Sequence, residues 1–287
     1  MLNIDDPRGL TEAVDQGDTL NVMIALDEHP DWLEYWDPSL IARPLHFAAG
    51  RGYADMVQEL LRRGAEVNPR DYQGKTPLHW AAQGGFYEVV DALITRGADL
   101  FALDDQGWTP LVLSAMRGGE PYSRVANLLL ERGARLDLLS AVNLGKFEEA
   151  KQLLAQDPKI ISSTPSADLL IGSIVQQTKI AMLKYLSSQA DPKSISAIVD
   201  AIDFAVSSHI DMLENLINHG APLDRAYEAL VQAIAYVPHP RLIADLLRAG
   251  ANISPSPANQ RVDLIRYAKR SPYAAELEQI LTFFNAV

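Results

Sequence analysis

The chain has 287 residues, 48% of them hydrophobic, and a formal net charge of −12. This size and composition are typical of a folded protein with one large domain or two ordinary ones. The absence of cysteine excludes disulfides, thiolate zinc sites, iron–sulfur clusters and a cysteine nucleophile. The negative charge disfavours nucleic acid as a partner, because it repels the phosphate backbone.

The first residues, MLNIDDPRGL, place two aspartates where a secretory signal would need basic residues before an apolar run. Apolar stretches such as 169–175 are far shorter than the roughly 20 residues that cross a bilayer. We therefore expect a cytoplasmic protein that does not bind a membrane. Residues 1–37 carry ten Asp or Glu against one Arg, which predicts either a solvated capping face or a docking patch for a basic partner.

A helix pair is predicted at the N-terminus, within residues 1–38. Its small and apolar residues are in register with those of the helix pairs that follow, but it lacks their Pro-Leu-His motif. The residues in register are Ala13, Gly17, Val22, Ala25 and Leu26. This pattern is typical of a repeat that caps the end of a stack.

The next segment, residues 39–137, repeats with a spacing of 33 residues. Three copies of one motif have this spacing: RPLHFAA at 43–49, TPLHWAA at 76–82 and TPLVLSA at 109–115. Self-similarity at a fixed spacing of this length indicates stacked repeats, because one repeat cannot bury its apolar face alone.

The second copy shows why each residue type is present. Thr76 can cap a helix whose first turn tolerates Pro77. Small alanines follow at helical spacing and allow neighbouring helices to stack closely. Gly85 permits a tight turn into a second helix, and Gly97 ends that helix. The stretch after Gly97 is predicted to form a hairpin that reaches the next repeat.

These motifs resemble the ankyrin-repeat family, whose unit contains D-x-x-G-x-T-P-L-H-x-A-A and, further on, L-L-x-x-G-A-D-V-N. The match is specific over residues 39–137. The resemblance implies an all-α solenoid of stacked helix–turn–helix units, with short β-hairpin connections in the N-terminal half. It also implies that His46 and His79, at the histidine of the motif, tie neighbouring hairpins together by hydrogen bonds.

Helix pairs continue beyond residue 137 with a weaker pattern. Residues 138–259 are predicted to be degenerate repeats with shorter hairpin sequences, and residues 260–287 to cap the C-terminus. We therefore expect a single array over residues 1–287. A division into two domains near residues 161–166 is the less economical alternative.

No catalytic or metal-binding constellation is visible. The common phosphate-binding, zinc-peptidase and serine-hydrolase signatures are absent, and the six histidines lack metal-ligand spacing. We therefore expect no enzyme activity, no cofactor and no bound metal. The alternative is an enzyme whose site lies in the irregular C-terminal half, where the candidates are Tyr185, His209, Asp211 and Tyr236.

Ankyrin arrays usually bind proteins through the hairpin tips and the first helix of each pair, which line a concave face. Carried over residue by residue, the resemblance implies a binding strip along this face. Aromatic residues, Met and Arg are enriched where proteins bind each other, and the strip contains all three. The predicted contacts are Arg70, Tyr72, Gln73, Lys75, Trp80, Gln83, Asp105, Trp108, Met116, Arg117 and Tyr122.

Three of the predicted contacts occupy unusual positions in the repeat. Trp80 occupies a position where a large side chain can instead pack between repeats. Tyr122 lies in an enlarged turn, Gly119–Ser123, which is either a partner-binding insertion or a tolerated one without function. Trp108 has no obvious neighbour at a hairpin tip, so we expect an exposed indole that contacts the partner.

The sequence thus predicts a protein–protein interaction module that binds a partner through its concave face and is monomeric alone. A narrower hypothesis is a bacterial inhibitor or immunity-type protein that occludes a toxic enzyme. The acidic N-terminus would suit a basic enzyme such as a nuclease.

Overall fold

The chain divides into two compact bodies, an N-terminal body, Met1–Ser140, and a C-terminal body, Ala141–Val287. The residues that this computed structural model describes are 6–38, 42–157, 159–187, 236–248 and 268–285, together with Val206, His209, Met212, Leu213, Asn215, Leu216 and Ala233. Within these ranges the regular structure is helical, and the β-structure is one isolated bridge between Asp37 and Ala42.

The N-terminal body is built from consecutive helix pairs. They are α1 (Pro7–Gln16) and α2 (Thr19–Glu28), α3 (Pro44–Arg51) and α4 (Ala54–Arg62), α5 (Pro77–Gly84) and α6 (Tyr87–Thr95), and α7 (Pro110–Arg117) and α8 (Glu120–Glu131). A short 3-10 helix, Pro30–Glu34, follows α2. The first helices contact one another in the order α1, α3, α5, α7, and the second helices α4, α6 and α8 form their own row. The pairs therefore stack in two layers, and we call α3–α4, α5–α6 and α7–α8 the first, second and third repeats.

Signals at the helix ends act as the sequence predicts. Pro77 is the first residue of α5, where its missing N–H costs no hydrogen bond. Gly85 follows this helix with a φ of 75°, a left-handed conformation that glycine adopts without a steric penalty. Pro110 begins α7 in the same way, and the hydroxyl of Thr109 accepts a hydrogen bond from the backbone N–H of Val112. The local motif thus determines where each first helix starts.

The core of the N-terminal body lies between the two layers. Each repeat contributes leucines from both of its helices, and the alanines of the motif are fully buried where first helices touch. The buried leucines include Leu45, Leu60, Leu78, Leu93, Leu111 and Leu129. Burying one such side chain contributes roughly 1.5–3 kcal/mol, a gain that each repeat obtains only by stacking on its neighbours.

The predicted β-hairpins between repeats are not confirmed. Two loops, residues 70–75 and residues 103–108, stand at the hairpin positions, and we call them tip loop 1 and tip loop 2. One backbone hydrogen bond closes the base of each, from the N–H of Asp71 to the carbonyl of Lys75 at 2.8 Å and from Asp104 to Trp108 at 3.0 Å. No ladder extends from these bonds in the described part of the chain, because the next helix begins within two residues of each loop.

The structure describes the C-terminal body in part. The helices after the third repeat are α9 (Leu138–Asn143), α10 (Phe147–Gln156), α11 (Ile160–Ser163), α12 (Leu169–Ser187), Pro240–Arg248 and Ala274–Asn285. Much of the segment predicted to hold degenerate repeats lies outside the described residues, so the single array over 1–287 stays a prediction. None of the described helices is both long and apolar enough to span a membrane.

Candidate protein-binding surface

A pocket of about 540 Å³ lies on the N-terminal body, between tip loop 1 and the first helices. It is lined by Asp15, Phe47, Gly50, Arg51, Asp71, Tyr72, Gln73, Lys75, Trp80 and Gln83. Five of these residues belong to the predicted binding strip: Tyr72, Gln73, Lys75, Trp80 and Gln83. The structure therefore brings the central part of that strip together in one place.

Asp71 organises the loop that forms one side of the pocket. Its Oδ1 accepts hydrogen bonds from the backbone N–H groups of Gln73 and Lys75, both at 2.8 Å. Its Oδ2 accepts from the indole N–H of Trp80 at 2.8 Å. Carboxylate bonds of this kind are about twice as strong as neutral ones, so Asp71 fixes both the loop and the indole. Sequence reasoning missed this residue, although the D-x-x-G pattern of the repeat pointed to it.

Trp80 is half-buried between the first and second repeats. Its ring lies edge-on to the rings of His46 and Phe47, with centroid distances of 5.7 and 5.6 Å. A Cβ atom on Gly50 would lie 2.5 Å from the indole, so α3 needs glycine at that position. Trp80 thus packs between repeats, as its structural alternative predicted, and also forms a wall of the pocket.

Two histidines tie consecutive repeats together, as predicted. Nδ1 of His79 accepts a hydrogen bond from the backbone N–H of Thr76 at 3.0 Å, so in the neutral ring the proton is on Nε2. Nε2 then donates to the carbonyl of Trp108 in tip loop 2 at 3.1 Å. His46 makes the corresponding bond to the carbonyl of Lys75 in tip loop 1, also at 3.1 Å. Burial lowers the pKa of both imidazoles, which favours this neutral form.

Tip loop 2 repeats the geometry of tip loop 1 with one difference. Oδ1 of Asp104 accepts hydrogen bonds from the N–H groups of Gln106 and Trp108, both at 2.9 Å. Leu113 stands where the preceding repeat has Trp80, so no indole is supplied from that position. Oδ2 of Asp104 is buried and has no hydrogen-bond partner among the residues that the structure describes. The two loops therefore have the same hydrogen bonds between backbone and aspartate, but only tip loop 1 is also held by an indole.

The prediction of an exposed indole at Trp108 is wrong. Its side chain is half-buried, and the indole nitrogen is buried without a partner in the described part of the chain. The backbone explains this placement, because the N–H of Trp108 binds Asp104 and its carbonyl accepts from His79. These bonds place Trp108 at the base of tip loop 2, against the second repeat, and not at its tip.

The remaining strip residues extend from the pocket across tip loop 2 and α7. Arg70 is exposed, and its guanidinium donates to the carbonyl of Leu103 at 2.6 Å, which joins the two tip loops. The N–H of Asp105 reinforces this junction by donating to a carbonyl of tip loop 1 at 2.9 Å. Asp105 and Arg117 have exposed side chains, and Met116 is half-buried.

The enlarged turn predicted around Tyr122 is also wrong. Helix α8 begins at Glu120, so the three additional residues lengthen this helix to 12 residues, compared with nine in α6. Tyr122 is half-buried, and its ring would lie 3.1 Å from a Cβ atom placed on Gly85. The side chain therefore packs against the glycine that ends α5.

The same aromatic–glycine contact joins the earlier repeats. A Cβ atom on Gly52 would lie 2.5 Å from the ring of Phe86, and one on Gly17 would lie 2.9 Å from Tyr53. In each case the ring covers the left-handed glycine that ends the first helix of the preceding repeat. An aromatic residue directly after the glycine, as in Gly52-Tyr53, was the available signal in the sequence.

Acidic residues of the N-terminal segment pair with arginines of the first repeat. The pairs are Asp15–Arg51, Asp27–Arg63 and Glu34–Arg43, with N–O distances of 2.7, 2.7 and 2.6 Å. Asp6 and Asp18 cap α1 and α2. Each exposed pair contributes about 1 kcal/mol or less. The acidic segment is therefore in large part a cap bound to its neighbour, with fewer free carboxylates than its composition suggests.

The described part of the structure shows no active site formed by the residues of the alternative enzyme hypothesis. His209 is buried and lies edge-on to Phe147, with a centroid distance of 4.7 Å. Tyr236 is exposed, and the side chains of Tyr185 and Asp211 lie outside the described residues. Among the residues that are described, no cluster of His, Asp and Glu could hold a metal ion.

A family model for ankyrin repeats, in three copies, matches residues 10–104 and 45–140. A segment of 67 residues is 39% identical to the Probable E3 ubiquitin-protein ligase XBOS33 of Oryza sativa subsp. japonica and to the E3 ubiquitin-protein ligase XBAT33 of Arabidopsis thaliana. This segment covers 23% of the chain and 13% of each plant protein, so the chain matches only a small part of these relatives. The matched family model coincides with the stacked helix pairs of the N-terminal body. Residues 10–140, a little under half of the chain, therefore consist of ankyrin repeats.

Proposed function

We propose that the chain is a protein-interaction module that binds a partner protein through the concave face, formed by the tip loops and first helices of its ankyrin repeats. The observation that supports this proposal is the pocket beside tip loop 1, which gathers five of the predicted contacts. Tyr72, which is 56% exposed, and the half-buried Trp80 contribute aromatic surface to it. Aromatic side chains at the centre of a contact surface are typical binding hot spots.

The rigidity of tip loop 1 also supports a binding role. Asp71 holds two loop N–H groups, His46 holds the carbonyl of Lys75, and Arg70 joins the loop to its neighbour. A loop already held in one conformation loses little entropy when a partner binds, so more of the contact energy remains as affinity.

The two plant relatives share one short segment with this chain. Their names describe ubiquitin ligases, but the aligned segment is 13% of their length. Ligase activity therefore does not form part of the proposal, which is a binding function without catalysis. A cytoplasmic location and a monomeric free state belong to the same proposal.

We do not extend the proposal to an inhibitor of a basic enzyme. That hypothesis depends on free negative charge at the N-terminus, and three of the carboxylates there are paired with arginines of the first repeat. Pairing reduces the long-range field that would attract a basic protein.

Site-specific photocrosslinking in the native host tests the proposed function. A benzophenone amino acid replaces Tyr72 in the pocket and, as a control, Asn127, which is exposed on α8. We expect a discrete adduct with a partner protein from position 72 and none from position 127, and excess unlabelled protein should suppress it. Identical adducts from both positions, or none from position 72, would contradict the proposal.

A further inference from the structure

Hydrogen bonds within the protein already occupy the carboxylates of the pocket. Asp71 uses both oxygens, Oδ1 for two loop N–H groups and Oδ2 for the indole of Trp80. Asp15 is held by Arg51 through two parallel bonds of 2.7 and 2.9 Å. These acidic groups therefore have donors before any ligand arrives, and they offer little to a basic side chain of a partner.

Lys75 is in the opposite situation. Its backbone N–H binds Asp71 and its carbonyl accepts from His46, so the main chain is fixed at the pocket edge. Lys75 is half-buried and lines the pocket, and its ammonium forms no ion pair with any residue in the described part of the chain. An ammonium group has three N–H donors and no acceptor, so it requires an acceptor from outside the protein.

Two other cations of the strip, Arg70 and Arg117, also lack a carboxylate partner among the described residues. Arg70 donates to backbone carbonyls and to no described carboxylate, and Arg117 is exposed on α7 without an ion pair among the described residues. Asp105 is the exposed acid on the tip loops. The surface that a ligand meets there is therefore richer in free donors than in free acceptors, although the whole chain has a net charge of −12.

We propose that the pocket binds an acidic side chain from a peptide segment of the partner protein, with the carboxylate on Lys75 and an adjacent apolar side chain against Tyr72 and Trp80. The inference rests on the proposed function and specifies the chemistry of the partner at the same site. The net charge of the chain suggests a basic partner, whereas this inference gives the partner an acidic contact group. The reason is that the unpaired charges nearest to the ligand determine electrostatic complementarity at the contact.

Peptide selection provides the probe. A phage library of random short peptides is selected on the full chain, and we expect enrichment of Asp or Glu next to an apolar residue. The tightest-binding peptide is then synthesised with its acid intact and with the acid replaced by the corresponding amide. Both forms are titrated by calorimetry against the wild type, Lys75→Gln and the control Arg96→Gln, which removes one positive charge from an exposed residue outside the pocket.

We expect Lys75→Gln and the amide peptide each to weaken binding by about tenfold, and their combination to weaken it little further, because both changes break one contact. Arg96→Gln should bind like the wild type. Lys75→Gln should melt at the wild-type temperature, since the ammonium has no described partner to lose.

Two results would overturn the inference, and they differ in what they leave standing. The first is enrichment of Lys and Arg, or equal affinity of the wild type and Lys75→Gln for the acidic peptide. If Tyr72→Ala still weakens binding in that case, the acidic ligand is rejected but the proposed binding function stands. The second is failure to select any peptide, or selection of peptides that bind Tyr72→Ala and Lys75→Gln as tightly as the wild type. Either outcome would contradict the proposed function as well.

Discussion

The indole N–H of Trp80 donates to Oδ2 of Asp71 at 2.8 Å, so the first helix of the second repeat braces the loop that precedes it. The same loop carries Lys75 and Tyr72 into the pocket. This hydrogen bond therefore contributes both to the stability of the repeat stack and to the shape of the proposed binding surface.

Trp80→Phe tests the value of this bond. The substitution leaves a ring in place but removes the donor, so a buried carboxylate oxygen loses its partner. We expect the free energy of unfolding to fall by about 1–3 kcal/mol in urea denaturation. Trp36→Phe is the control, because Trp36 is 39% exposed, and a change within about 0.5 kcal/mol is expected there. Equal losses for the two variants would show that the bond to Asp71 contributes no stability.

Gly50→Ala tests the packing beneath the same indole. The new methyl group would lie 2.5 Å from the ring of Trp80, so the ring must shift and the bond to Asp71 must weaken. We expect a loss of about 1–3 kcal/mol by thermal or urea unfolding. Gly172→Ala, in helix α12, is the matched control, because no atom lies within 4 Å of the added methyl. That variant should be neutral or more stable, since alanine favours helix over glycine by about 1 kcal/mol.

Gly52→Ala and Gly97→Ala separate two effects at left-handed glycines. Both residues have a positive φ, of 79° and 87°, so alanine is strained in either place, at a cost of about 1 kcal/mol. Only Gly52 is covered by an aromatic ring, that of Phe86, at 2.5 Å from the added Cβ atom, whereas no atom lies within 4 Å at Gly97. We expect Gly52→Ala to lose at least about 1 kcal/mol more than Gly97→Ala in urea denaturation. Similar losses would mean that the aromatic contact between repeats is easily displaced.

The two buried histidines predict how stability depends on pH. Burial keeps the pKa of His46 and His79 below the 6.5 of a free imidazole. The unfolded chain therefore takes up protons at these positions at a higher pH than the folded protein does. Since the unfolded state then binds more protons, the free energy of unfolding must fall as the pH decreases below about 6.5.

Urea denaturation between about pH 5 and about pH 8 measures this dependence. We expect His79→Gln to be less stable than the wild type at neutral pH, because it loses the bond to the carbonyl of Trp108, but to show a flatter decline toward acid. His29→Gln is the control for the loss of a histidine that is exposed and lies outside the contacts between repeat motifs. An unchanged slope in His79→Gln would show that protonation of this imidazole does not limit acid stability.

Local sequence determined where the repeats and their helices lie. The spacing of 33 residues, the proline at each helix start and glycines such as Gly85 specify backbone conformations over a few residues, and one repeat cannot bury its leucines without the next. The histidine bonds between repeats were predictable for the same reason, since His46 and His79 occupy equivalent positions of one motif. The position of Tyr72, Gln73 and Lys75 in the loop before the second repeat followed from the same register.

Stacking of the repeats decided what the motif could not. Whether Trp80 is packed depends on Gly50, which lies 30 residues earlier, and Tyr122 became a packing residue because Gly85 lies beneath it. Arginines of the first repeat neutralise acids of the preceding segment, and Trp108 is drawn to the base of its loop by His79. Periodicity specifies the position of a side chain within its own repeat. Only the tertiary structure determines whether a neighbour buries that side chain or pairs with it, and for the ammonium of Lys75 no described neighbour does so.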